Sequence, residues 1–316
     1  MPYISVVTPI YNAVDIVDEL YHQLVENLEK ITTDFEIIMV NDADPTGSSA
    51  KIAALAQKDK RVKLIDLARN FGQHIAISAG LDYAEGDYVV VMDCDLQDPP
   101  SKISLLLEEL KKSGKEVIFA IRENRKEGFF KKFYSDIFKK FKNLLSDKIF
   151  QGDENIGNFS IITQKVVKNI RKLKERNRSY AGLITWCGFS PICVSIENEE
   201  RFAGKSGYTF WKSLQFAISI ILQQSVKPLY LSIIFCILCS LGAIILASIV
   251  CYNYYTGHYT IAGYASIMTV VAIVGAMMFL ILAVMSIYLA TVFQETHGRP
   301  LYVIGHLLNI KEKEND

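Results

Sequence analysis

Residues 87–100 read DYVVVMDCDLQDPP, an apolar run that ends in a cluster of carboxylates. The length and β-branched content of Tyr88 to Met92 predict a β-strand that is buried on both faces. Asp93 and Asp95 follow directly and are separated by one residue. The segment therefore predicts an inner strand whose carboxyl end presents acidic side chains at the edge of a sheet.

Strand-like and helix-like segments alternate before this run. The strands are predicted at 4–10, 35–42 and 62–67, and the helices at 15–28, 48–57 and 74–84. This βαβ rhythm is typical of an α/β domain with a mostly parallel sheet. Ligands of open α/β sheets bind beyond the carboxyl ends of the strands. The polar ends of three strands are therefore expected to line one cleft: Thr8–Asn12, Asn41–Asp44 and Asp93–Asp98.

Two common nucleotide-binding signatures are missing from the chain. No G-x-G-x-x-G follows the first strand, and no G-x-x-x-x-G-K-[ST] occurs. A dehydrogenase or a P-loop enzyme is therefore disfavoured. The formal net charge is zero and no RNA- or DNA-binding motif is present, so a nucleic-acid partner is not expected.

The hydrophobic residues, 50% of the 316, are concentrated near the carboxyl terminus. Residues 228–257 and 260–294 contain no Asp, Glu, Lys or Arg. A spanning helix needs about 20 apolar residues, whereas helices of globular proteins average about 11–12. We therefore predict an integral membrane protein with two transmembrane helices, near 228–250 and 266–293 within the region 227–294.

Basic residues predict the orientation of these spans. Lys212, Lys227 and Arg299 flank their outer ends, whereas the connecting loop 251–263 has neither Lys nor Arg. The positive-inside rule then places both termini in the cytoplasm. The first residues lack the features of a secretory signal. An N-terminal domain at 1–206 and a tail at 295–316 are thus expected on the cytoplasmic side of a bacterial plasma membrane.

Two further segments are candidates for the membrane surface. Residues 122–148 carry nine Lys or Arg against four acids, with apolar residues at three- and four-residue steps, which predicts a basic amphipathic helix. An ordinary helix packed on the domain, with its charges in water, is the alternative. Residues 207–226 combine aromatic and aliphatic side chains just before the first span, as interfacial helices do.

The pair Asp93 and Asp95 suggests a divalent cation. Carboxylate oxygens suit Mg²⁺ or Mn²⁺ bridging a diphosphate. By itself a D-x-D pair is weak evidence for a metal site, because aspartates at strand ends are often turn or cap residues.

Several motifs in the same order make the pattern more specific. They are TPIYN (8–12), VNDADPTGSS (40–49), RNFGQHIAISAGLDYAEGDYVVVMDCDLQDPP (69–100) and RFAGKSGY (201–208). Together they resemble the family 2 glycosyltransferases of the polyprenyl-phosphate type, almost from end to end. The resemblance implies a GT-A-like, Rossmann-type sheet domain followed by interfacial helices and two transmembrane helices.

The resemblance also implies roles for individual residues. Asp95, Gln97 and Asp93 would be the metal ligands, and Asp95, Arg122 and Asp98 the catalytic residues. The residues implied to bind substrate are Pro9, Tyr11, Asp42, Asp93, Cys94, Arg125, Arg201 and Lys205.

The implied reaction is an inverting transfer of a sugar from a nucleotide donor, with UDP favoured, to undecaprenyl or another polyprenyl phosphate. Such a phosphate is already largely ionised at neutral pH, so no general base is strictly required. Asp98 is then either a base or the cap of the helix after Pro99 and Pro100. Membrane lipid and a homo-oligomeric partner are also implied.

The chain departs from the family pattern at several positions. Ala13 replaces a usual Glu, NDAD (41–44) replaces NDGS, and Gly207 replaces a usual Lys. Relatives often carry an acidic or arginine-bearing segment where this chain has GNFSIIT (157–163), so Asn158 and Ser160 receive no catalytic role.

Two other functions remain open. A processive polysaccharide synthase is disfavoured because the chain lacks a Q-x-x-R-W motif and further spans. A membrane-bound scaffold that binds sugar nucleotides without transfer would fit the departures at Ala13 and Gly207. The retained residues Asp42, Asp93 and Asp95 favour an enzyme.

Overall fold

A computed structural model describes residues 2–122, 156–176, 178–196 and 263–311, with scattered positions between 233 and 256. The chain divides into two compact units. The first contains Met1–Gly128, Gly152–Gly207 and Arg299–Asp316, and the second contains Phe129–Gln151 and Tyr208–Gly298.

The first unit is built on one eight-stranded sheet with the order β7-β5-β6-β4-β1-β2-β3-β8. β1 pairs in parallel with β2 and β4, whereas β6 and β8 run antiparallel to their neighbours. This confirms the predicted mostly parallel α/β sheet. The strands are β1 (Ile4–Ile10), β2 (Phe35–Asn41), β3 (Val62–Leu67), β4 (Tyr88–Val91), β5 (Val117–Arg122), β6 (Ile156–Thr163), β7 (Ile192–Ile196) and β8 (Ile304–Leu308).

Helices cover both faces of this sheet. One apolar core contains residues of α1, α2 and α4, and a second core, on the opposite face, contains residues of α3, α5 and α6. Strands covered on both sides need apolar residues at successive positions, and all seven residues of β1 and of β2 are buried. The helices are α1 (Val17–Glu29), α2 (Ser48–Lys58), α3 (Gln73–Tyr83), α4 (Ile103–Ser113), α5 (Gln164–Ile170) and α6 (Tyr180–Trp186), with a 3₁₀ turn at Pro100–Lys102.

Gly80 lets α3 lie close to the sheet. A Cβ atom at this position would stand 2.3 Å from Cγ1 of Val7 and 3.0 Å from Cγ2 of Val40. Any larger residue would therefore push α3 away from β1 and β2. The close approach matters because α3 begins at the carboxyl edge of the sheet, where the candidate site lies.

The tail after residue 298 belongs to the sheet unit. β8 (Ile304–Leu308) pairs antiparallel with β3, and the Ala68 N–H donates to the Val303 carbonyl at 2.9 Å. The sequence predicted only a cytoplasmic tail at 295–316 and no strand in it. This chain segment instead completes one edge of the sheet.

The second unit contains the long apolar helix α7 (Tyr264–Thr296). Its stretch Ile273–Thr296 has a mean hydropathy of 2.5 and is the one helix among the described residues that is long and apolar enough to cross a membrane. Only part of the first predicted span is described, and the described positions between 233 and 253 are helical. The predicted interfacial helix at 207–226 lies outside the described residues.

The predicted basic helix at 122–148 also lies outside them, except for its first residue. Arg122 is the last residue of β5, where it pairs with Ile196 of β7. Its assignment to the beginning of a helix was therefore wrong. The strand continues through Arg122 because the parallel neighbour β7 extends the ladder to that position.

Candidate active site

Three loops meet at the carboxyl edge of the sheet. They follow β1, β2 and β4, which are adjacent and parallel. Each loop contains a non-glycine residue with a positive φ: Asn12 (55°), Ala43 (51°) and Leu96 (58°). Such conformations are uncommon outside glycine and concentrate at functional sites, where the surrounding structure enforces them. The three loops that the sequence predicts to line one cleft thus lie at the same edge of the sheet and are tightly constrained.

Asp93 is held by two amide side chains. Its Oδ1 accepts a hydrogen bond from Nε2 of Gln73 at 2.6 Å and another from Nδ2 of Asn158 at 3.1 Å. Asp95 Oδ1 accepts a hydrogen bond from the Gln97 backbone N–H at 3.2 Å, which shapes the turn after it. The predicted metal ligands therefore occupy one short, internally bonded loop.

Asp98 lies beneath this loop. It is 2% exposed, and its Oδ2 accepts a hydrogen bond from the Asp93 N–H at 3.3 Å. Pro99, not Asp98, is the N-cap residue of the following 3₁₀ turn, and no side-chain capping bond is made there. Asp98 thus does not occupy the N-cap position that one interpretation of the sequence gave it. Its hydrogen bond from the Asp93 N–H fixes the backbone that carries Asp93.

Cys94 connects the loops after β1 and β4. Burial raises the pKa of its thiol to about 12, and the negative charge of Asp93 contributes, while a hydrogen bond from the Tyr11 backbone opposes the shift. A thiol with so high a pKa is a poor nucleophile near neutral pH. Tyr11 is 48% exposed in the loop after β1, and Pro9 is buried in β1.

Asp42 faces inward. It is 2% exposed, and its two carboxylate oxygens accept hydrogen bonds from the backbone N–H groups of Phe71 at 2.7 Å and Gly72 at 2.9 Å. The sequence predicted that Asp42 contacts the nucleotide. The structure places it at the same edge, where it anchors the turn that begins α3.

Asp44, one of the departures from the family pattern, joins two loops. Its carboxylate accepts hydrogen bonds from the Thr46 N–H at 2.8 Å and from the Ser48 hydroxyl. Burial opposes ionisation, but these bonds, together with one from the Ala13 backbone, lower the pKa of Asp44. Asp44 therefore fastens the start of α2 to the loop after β1.

Two side chains at the site were not predicted from the sequence. Gln73 lies in the motif 69–100 but has no predicted role, and Asn158 is predicted to have no catalytic role. The antiparallel register that pairs Val91 with Ser160 places Asn158 opposite Asp93. Only the register that pairs 88–91 with 160–163 gives this signal, because a shift of one residue would place Gly157 there instead. Arg125, Arg201 and Lys205 lie outside the described residues.

The acidic loop fits a hard divalent cation without forming a complete cage. Among the described residues, no group of three or more His, Cys, Asp or Glu side chains is placed to hold a metal. Mg²⁺ is commonly bound by one or two carboxylates together with substrate phosphates, so a full set of protein ligands is not needed. Asp93, Asp95 and Gln97 supply only oxygen or amide ligands, which suits Mg²⁺ or Mn²⁺.

Comparison with known sequences defines the class of this protein. Residues 5–171 match Glycosyl transferase family 2. This region includes β1 to β6, the three loops of the cleft, Asp93, Asp95 and Asn158. The chain therefore belongs to glycosyl transferase family 2, and it is a glycosyltransferase.

Two relatives align with this chain over nearly its whole length. The chain is 35% identical over 310 residues to the uncharacterized glycosyltransferase YkcC of Bacillus subtilis, covering 98% of this chain and 95% of YkcC. It is 31% identical over 303 residues to the bactoprenol glucosyl transferase of Shigella phage SfII, covering 95% and 97%.

A solved structure shares the fold. Glucosyl-3-phosphoglycerate synthase of Mycobacterium tuberculosis, in complex with Mn²⁺, UDP-glucose and phosphoglyceric acid, aligns with a TM-score of 0.50 and 12% identity. The alignment covers 71% of this chain and 79% of that one. At this identity, the likeness concerns the fold of the sheet unit.

Proposed function

We propose that this glycosyltransferase moves a sugar, with inversion, from a nucleotide-sugar donor to a polyprenyl phosphate such as undecaprenyl phosphate. A UDP-sugar is the favoured donor. The observation that carries the proposal is the loop 93–98, held at the carboxyl edge of a family 2 sheet in a chain that aligns over its length with bactoprenol glucosyl transferases. The product would supply sugar for modification of cell-envelope glycans.

The donor diphosphate would lie at the acidic loop. Asp95, Gln97 and Asp93 would hold Mg²⁺ or Mn²⁺, which when bound offsets the charge of the leaving nucleoside diphosphate. Asp93 is already oriented by two amides, and Asp95 by its own turn. The exposed ring of Tyr11 is available to the nucleotide at the cleft mouth.

A phosphate acceptor explains why Asp98 is not needed as a general base. A phosphate monoester is largely ionised at neutral pH, so the attacking oxygen carries no proton that must be removed. Asp98 is buried and accepts a hydrogen bond from the Asp93 N–H, which supports a positioning role over that of a base. Arg122, Arg125, Arg201 and Lys205 are proposed to offset the charges of the two phosphates, because two anions must be brought together.

Transfer of radiolabel in membranes containing the full chain tests the reaction. A panel of UDP-, GDP- and dTDP-sugars is supplied with undecaprenyl phosphate, with and without EDTA. We expect a solvent-extractable lipid product from one donor, and none with EDTA. Absence of product from every donor, with folded protein present, would contradict the proposal and favour a binding or scaffold function.

Asp95→Ala tests the assignment of the acidic loop. Loss of a group that stabilises developing charge typically costs about 10²–10³ in rate, so we expect transfer to fall at least that far while the protein stays folded and membrane-bound. Asp34→Ala is a matched control, because Asp34 is exposed just before β2, at the opposite edge of the sheet. Wild-type activity in the Asp95 variant would remove the metal assignment.

A further inference from the structure

Two amide groups from different elements converge on one oxygen of Asp93. Gln73 is the first residue of α3, and Asn158 lies in β6, on the other side of Asp93. We infer that Asn158 and Gln73 form an amide clamp that sets the orientation of the Asp93 carboxylate for cation and diphosphate binding, and that Tyr180 ties its two arms together. This inference rests on the proposed function, in which Asp93 contributes to the donor site.

The clamp restricts a torsion that is otherwise loose. The terminal torsion of an aspartate is broad and roughly two-fold, so a carboxylate without fixed partners samples many orientations. Donors at 2.6 Å and 3.1 Å on Oδ1 remove much of this freedom. Hydrogen bonds to an ionised acceptor are also stronger than neutral ones. Asp93 is therefore oriented before any donor arrives.

The Asn158 arm is supported from behind by two buried hydroxyls. Ser160 Oγ donates to the Asn158 carbonyl at 3.0 Å and lies 2.8 Å from the Tyr180 hydroxyl. A serine hydroxyl has a single hydrogen, so Tyr180 is the donor in the second bond. Ser160 and Tyr180 are 0% and 1% exposed, which makes both bonds costly to break.

The helix that carries Gln73 is bonded to the same tyrosine. The Tyr180 N–H donates to Nδ1 of His74, the neighbour of Gln73, at 3.4 Å. Burial lowers the pKa of His74, which favours the neutral ring with an acceptor nitrogen. Tyr180 therefore contacts β6 through its hydroxyl and α3 through its backbone, and these are the two elements that carry the clamp.

Direct measurement of cation binding tests the clamp. The full chain is purified in detergent with UDP, and free Mn²⁺ is titrated by electron paramagnetic resonance, alongside KM and kcat for the nucleotide sugar. A hydrogen bond to a charged group corresponds to about a tenfold change in affinity. We expect Asn158→Ala to weaken Mn²⁺ binding about tenfold and to raise KM more than it lowers kcat. Tyr180→Phe, which keeps the buried ring, should shift both in the same direction by a smaller factor.

Asn169→Ala is the control, since its side chain donates to the Lys165 carbonyl on the surface of α5, away from Asp93. If Asn158→Ala does not fold, Gln73→Ala tests the same clamp at an exposed position. Wild-type Mn²⁺ affinity in folded Asn158 and Gln73 variants would overturn the inference. Mn²⁺ binding with UDP needs no acceptor lipid, so failure of lipid transfer and failure of the clamp give separate results.

Discussion

Asp44 stands where the family pattern carries a small residue, and it holds two loops of the cleft together. It accepts hydrogen bonds from Thr46, from Ser48 and from the backbone of Ala13. The preceding residue, Ala43, has φ 51°, a conformation that an alanine adopts only when its surroundings enforce it. The bonds of Asp44 supply part of that enforcement, because they fix the turn on its carboxyl side.

The lowered pKa of Asp44 leads to a pH-dependent prediction. Since its pKa is lower in the folded than in the unfolded state, its stabilisation is complete above the unfolded value of about 3.9 and disappears as the pH falls through the folded value. Asp44→Asn should lower the thermal midpoint by roughly 2–4 °C at pH 7. The difference from wild type should shrink as the pH falls below about 3.9. Thermal denaturation of both chains between pH 7 and pH 3 checks this, and a difference that stays constant down to pH 3 would contradict it.

At the residue scale, the sequence predicted the site residues that follow directly from predicted strands. Asp93, Asp95 and the ends of β1 and β2 could be grouped because parallel strands finish at one edge. Asn158 and Gln73 could not, because their contacts with Asp93 depend on the register of β6 and on the position of α3. The inward orientation of Asp42 could likewise not be predicted from the sequence, since its hydrogen-bond partners are backbone groups 29 and 30 residues away.

At the scale of elements, β8 supports the strand that leads into the site. It covers β3, and Asn309 donates to the carbonyls of Ala56 at 2.6 Å and Val62 at 2.8 Å. Tyr302 donates to Asp82 at 2.8 Å. β3 continues through Ala68 to the turn that holds Asp42. An uncovered β3 would present unpaired backbone groups at the sheet edge.

Deletion of residues 302–316 tests this support. Loss of the β8 ladder and its side-chain bonds, at about 1 kcal/mol each, should lower the thermal midpoint by roughly 10 °C or more. The donor KM should rise severalfold, because the turn at Phe71 and Gly72 follows β3, and β8 would no longer hold β3 in place. Deletion of 312–316 alone leaves every described contact of β8 in place and should have no effect. Equal behaviour of the two deletions would show that β8 does not brace the site.

Element prediction succeeded where burial imposes a pattern. The runs at 4–10 and 62–67 match β1 and β3, because strands buried between two layers of helices must be apolar or β-branched. β8 was not predicted because IGHLL is short, contains a glycine and a histidine, and follows a long apolar helix. Its strand character comes from the edge of β3, which lies more than 230 residues away in the chain.

At the scale of the whole molecule, β8 constrains the path of the chain through a membrane. β1 to β7 and β8 belong to one sheet, and α7 lies between β7 and β8 in sequence. If α7 crosses a bilayer, the chain must cross an even number of times to return to the same side. A single span is then incompatible with this sheet. The predicted span near 228–250 is the candidate for the second crossing.

Reporter fusions test this topology. Alkaline phosphatase, active only outside the cytoplasm, should be active when fused after Tyr255, between the two spans, and inactive when fused after Lys311. Green fluorescent protein, which fluoresces only when folded inside, should give the reverse pattern at the same two positions. The expectation follows from the even number of crossings and from the absence of Lys and Arg in the loop 251–263. Phosphatase activity at both positions would mean one crossing, and β8 could then not pair with β3 of its own chain.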